Sequence, residues 1–88
     1  MLEIKKSEIT ALIIAHYQAQ LKESTYQIYA SQQKYACSFE EFESNIKSRK
    51  QEQFGRWEDY IEWKGHLKSA EYLTERIQKI EHGLFINA

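Results

Sequence analysis

The sequence predicts an all-α protein: two or three amphipathic helices, with a long N-terminal helix packed against a C-terminal one as a helical hairpin or small bundle. Three observations carry that expectation. The 88-residue chain has no proline and three glycines, Gly55, Gly65 and Gly83. Lys, Glu, Gln, Ala, Ile and Leu dominate it, and these residues enter a helix at little cost. Apolar side chains recur at three- and four-residue spacing in both halves, which stacks them on one helix face. A chain of this length is expected to form one domain with a small core, of the kind that often gains stability by associating.

Helix 1 is expected over about residues 7–36. Ser7 is its candidate N-cap, with Glu8 in the first turn to complement the helix dipole. Ile14, Leu21, Ile28 and Tyr35 recur every seven residues, with Thr10, Tyr17, Ser24 and Ser31 at the second heptad position. Ser24 and Ser31 would leave gaps in a coiled-coil seam. A helix of roughly 29 residues spans about 43 Å and needs an equally long partner. That partner is a second helix of the chain or another copy of it, and a homodimer using helix 1 is expected.

Helix 2 is expected over about residues 39–54, opened by Ser38-Phe39-Glu40-Glu41. Ser38 and Glu41 have the spacing of a capping box. Phe39, Phe42 and Ile46 form its apolar face, which lapses in the polar run from Lys47 to Gln53. Gly55 is a candidate stop, with helix 3 over about 56–82 and Glu58 and Asp59 in its first turn. One helix continuous from Phe39 to His82 is the competing reading. Tyr60, Trp63, Leu67, Ala70, Leu73, Ile77 and Ile80 make one stripe on helix 3. Trp57 is offset from Trp63 by about 120° around the helix, so Trp63 is expected in the core and Trp57 at the rim of a partner site. Gly65 is expected to let a backbone or a large aromatic come close. Gly83 is a helix stop, followed by an apolar tail over 84–88 that folds back or adds to a partner's surface.

Composition excludes some functions. The formal charge is −1, so a protein living on phosphate contacts is not the default. The single cysteine, Cys37, allows no intrachain disulfide and fits a reducing cytoplasm. The start, MLEIKKSEITALII, is not a secretion signal, because Glu3 and Glu8 interrupt its charged region and polar residues follow Ala15. No stretch has the length of a membrane-spanning helix, and no membrane partner is expected.

Candidate chemistry is sparse. Asp59, Glu62 and His66 share a helix face, and such groups can hold a metal. No second acid–histidine pair accompanies them, as a helix-bundle metal site would require. Their plain reading is a solvated acidic face. His16 reads as a packing residue, and no nucleophile has a flanking base. Lys47, Arg49, Lys50 and Arg56 form a short basic stretch without aromatic interleaving or a phosphate-binding loop. No catalytic residue, metal ligand or cofactor is assigned. The six tyrosines are many for this length, and with Tyr26 and Tyr29 astride helix 1 they cannot all point into one core. Tyrosine is enriched at binding surfaces. Tyr26, Tyr29, Trp57, Asp59 and Phe85 are therefore the candidate partner-binding residues.

The run SFEEFE, followed by FGRWEDYIEWKGHLKSAEYLTERIQKIEHG, resembles small bacterial and archaeal helical proteins encoded beside toxins. Ser38, Glu40, Glu41, Phe42, Trp57, Asp59, Tyr60, Trp63 and Leu67 carry the resemblance, which covers the second half of the chain. It implies an antitoxin-like role: binding and restraining another protein without catalysis. The expected function is thus a non-catalytic protein-binding module. The alternatives are a metal-dependent helical enzyme or metal-binding protein using Asp59, Glu62 and His66, and an accessory nucleic-acid-binding protein using the basic stretch.

Overall fold

The computed structural model of the chain describes residues 5–48 and 54–82. They form three helices, α1 (Lys6–Tyr35), α2 (Phe39–Ser48) and α3 (Phe54–Glu81), with no strand among the described residues. α1 and α3 lie along one another as a hairpin, and α2 packs on α3 near the turn end. No described helix is long and apolar enough to cross a membrane.

The α1 start differs from the expectation. Lys5, not Ser7, is the N-cap, in extended conformation. Glu8 then falls at the third helical position, and its carboxylate accepts the Lys5 backbone N–H at 3.3 Å. This is half of a capping box. A lysine side chain has no acceptor to supply the other half. α1 ends at Tyr35 and is capped by Ala36, which is left-handed with φ 52°. A Cβ strains that conformation, and glycine or asparagine is the usual occupant. Ser38 then caps α2, its Oγ accepting the Glu41 N–H at 3.2 Å, as the sequence predicts.

The expected stop at Gly55 is not made. α3 begins at Phe54 and runs through Gly55, so Glu58 and Asp59 fall in its second turn. A glycine in the first turn precedes the repeating backbone bonds and interrupts nothing. The single continuous helix is excluded as well. Phe39 and Tyr60 stack with ring centroids 5.6 Å apart, whereas about 31 Å would separate them along one straight helix.

The core follows the predicted stripe of α3. Tyr60, Trp63, Leu73, Ile77 and Ile80 are buried, together with Phe42 of α2. Trp63 is fully enclosed at the turn end, with Phe39, Phe42 and Tyr35 around it. Ile28, Cys37, Ile46 and Leu67 pack against this cluster. The α1 heptad seam is partly buried against α3, so a helix of the same chain supplies its long partner. Ser24 leaves no gap there. It is the buried residue of α1, and its hydroxyl meets Ser69 Oγ of α3 at 3.3 Å. Two small polar residues face each other where the helices approach, and the pair satisfies its own hydrogen bond.

The result is long and thin, 62 × 21 × 18 Å. Its radius of gyration is 18.0 Å, against about 12 Å for a compact domain of this length. It exposes 7117 Å², where a compact monomer of its mass would expose about 5,400 Å².

Candidate partner-binding surface

Polar side chains first fix how the helices are held. Lys34 and Tyr35, the last two residues of α1, both donate to Asp59 Oδ2 of α3, the ammonium at 2.8 Å. The Lys34 bond holds the Asp59 carboxyl below its ordinary range, and the Tyr35 hydroxyl adds to this. Burial, then the same bond, pushes the Tyr35 hydroxyl up. The Arg56 guanidinium lies 5.9 Å from the centre of the Tyr35 ring. A second latch joins α2 to α3, where the Tyr60 hydroxyl donates to Glu43 at 2.6 Å and lowers that carboxyl. At the far end, the Arg76 guanidinium lies between the Tyr17 and Tyr72 rings, 5.8 and 5.7 Å from their centres.

Asp59, a candidate for partner contact, is therefore engaged within the chain. Glu62 is exposed and His66 is half-buried. Among the described residues, no group of three His, Cys, Asp or Glu side chains could hold a metal ion. In the basic stretch, Lys47 lies 3.8 Å from Glu43 one turn back. Arg49 and Lys50 lie outside the described residues, as do Phe85, Gly83 and the apolar tail.

Large apolar side chains stand outward on α3. Trp57 is 50% exposed, Ile61 54% and Tyr72 55%. The spacing of four, then eleven residues puts them on one side of the helix. Lys68 is also exposed on that side, and Lys64 lies 5.8 Å over the Tyr60 ring. This is a line of outward apolar side chains with charges of both signs along it, Lys64 and Lys68 beside Glu71 and Glu75. Gly65 does not serve the close approach expected of it. A Cβ built there would meet nothing within 4 Å. Of these residues, sequence reasoning singled out Trp57. Counting outward from it along the helix would have reached Ile61 and Tyr72.

α1 also presents Leu12, Tyr26 and Tyr29 outward, at 67%, 63% and 58% exposure. Tyr26 and Tyr29 thus lie on the surface, where their position across the helix from the core seam puts them. Comparison with known protein families, with curated proteins and with solved structures found no match for this chain.

Proposed function

We propose that this chain is a non-catalytic protein-binding module that holds another protein, in the manner of an antitoxin-like partner, and that works in the cytoplasm as a homodimer. The observation that carries the reading is the outward strip of Trp57, Ile61 and Tyr72 on α3. Exposed aromatic side chains on a rigid helix are the usual anchors of protein interfaces. Trp57 and Ile61 are adjacent on the helix, and Tyr72 lies on the same side about 16 Å further along it. Lys64 and Lys68 on that side are matched by Glu71 and Glu75, so the strip favours a partner segment that is apolar with mixed charge around it. The small net charge speaks against nucleic acid as the main ligand.

The test is co-purification with the products of adjoining genes in the native host. The wild-type chain is compared with Trp57→Ala/Ile61→Ala. The reading requires a stoichiometric protein partner that the double variant loses while its helices remain intact by circular dichroism. Equal recovery of the partner by both proteins would remove the α3 strip from the proposal.

A further inference from the structure

α1 carries two heptad rows, not one. The inner row, with Ile14, Leu21 and Ile28, faces α3. The outer row is Leu12, Ala15, Ala19, Lys22, Tyr26 and Tyr29, at alternating spacings of three and four, and every one of these residues is exposed. That alternation is the geometry by which one helix packs along another. Among the described residues nothing covers the row.

We propose that the outer row of α1 pairs with the same row of a second copy, antiparallel, about a two-fold axis between Gln20 and Leu21. The inference rests on the dimeric reading above and gives that dimer its interface. Three features select this occupant and this direction.

Shape is the first. In the antiparallel register each Tyr26 ring lies over Ala15 of the second copy, and each Tyr29 over Leu12. The Lys22 stem lies over Ala19, with its ammonium free to reach water. Large residues thus fill the space above small ones. A parallel pair would instead stack alanine on alanine and leave those layers hollow.

Charge is the second. A parallel pair sets Lys22 against Lys22 inside the seam, a like-charge contact that opposes association. The antiparallel pair removes that contact and brings Glu23 beside His16 of the second copy.

Area is the third. The surface of 7117 Å² exceeds that of a compact monomer by about 1,700 Å². Each partner in a standard interface contributes about 800 Å². The excess is larger than one such contribution, so a long, thin chain of this kind has surface enough for a pair formed along α1. A two-fold pair is also self-complementary and closed, so it ends at two chains.

Cross-linking tests the arrangement in a Cys37→Ser background. Ala15→Cys and Tyr26→Cys are made singly and together, and treated with a short thiol-to-thiol cross-linker. In the antiparallel pair residues 15 and 26 of different copies are neighbours, while two copies of either residue are about 16 Å apart along the axis. The double variant should therefore form a covalent dimer, and neither single variant should. Efficient cross-linking of the single variants would show a parallel pair and overturn the inference while keeping the dimer. A dimer by light scattering that no variant cross-links would place the interface elsewhere, with the same consequence. A monomer at micromolar concentration would overturn both the dimeric reading and the inference, leaving the α3 strip to its own test.

Discussion

Trp63→Ala should cost this protein a large share of its stability, and the structure gives the size. The indole is fully buried. Its ring centroid lies 5.3 Å from Phe42, 5.5 Å from Phe39 and 6.5 Å from Tyr35. Tyr35 comes from α1, and Phe39 and Phe42 from α2, so truncating Trp63 of α3 opens the junction of all three helices. Removing a buried aromatic side chain costs about 3–5 kcal/mol, from lost transfer energy and the cavity left behind. Aromatic pairs add about 0.5–1.5 kcal/mol each beyond area. One effect works the other way. The Trp63 Nε1 donor is buried with no hydrogen-bond partner among the described residues, and its removal relieves about 1–3 kcal/mol of desolvation. The net loss is about 5 kcal/mol, against a total of about 4–13 kcal/mol for a domain of this length. At about 4–8 °C per kcal/mol, the midpoint should fall by more than about 15 °C or the transition should vanish. Trp63→Phe keeps a ring and drops the unpaired donor, so it should lose far less. Melts followed by far-ultraviolet circular dichroism read both variants. A midpoint for Trp63→Ala within about 4 °C of wild type would refute the account of the core.

Two further outcomes follow from the latch and the glycine. The Asp59 carboxyl is held below its ordinary value of 3.8 by Lys34 and Tyr35, so its contribution is complete above the unfolded value and is lost as pH falls through the lower folded one. The melting difference between wild type and Asp59→Asn should therefore be largest near neutrality and shrink below about pH 4; an unchanged difference in acid would show that the latch adds no pH-dependent stability. Gly65→Ala adds a Cβ to open space on a helix, so it should stabilise the isolated protein by about 1 kcal/mol, and a lower midpoint would mean that the α3 face is already occupied.

The parts of this fold that a single helix dictates were readable in the sequence. The α3 stripe and the separate faces taken by Trp57 and Trp63 need only the helical repeat, and both follow from residue spacing. So does the Ser38 cap, which depends on four consecutive residues. What depended on two helices at once was not readable. The sequence could not pair Lys34 and Tyr35 with Asp59, because that contact exists only once the hairpin register is set. The same holds for Ser24. Alone it looks like a gap in an apolar seam, and against Ser69 it is the residue that closes one.

The outer row of α1 was hidden for a different reason. An amphipathic helix is recognised by the contrast between one apolar face and one polar face. In α1, apolar residues stand on opposite sides, so the contrast cancels although each row is regular. That pattern suits a helix with a neighbour on both sides, and here the chain supplies one neighbour. A helix with a single neighbour gains nothing from tyrosines at positions 26 and 29, half a turn from the core. It would be better served there by lysine or glutamate, which favour a helix and keep it soluble. The same logic applies to α3, where Trp57, Ile61 and Tyr72 stand away from the buried stripe. On the two proposals above, both long helices would be inner helices of an assembly larger than one chain, α1 suited by its two-fold row to a copy of itself and α3, by its outward aromatics, to a different protein.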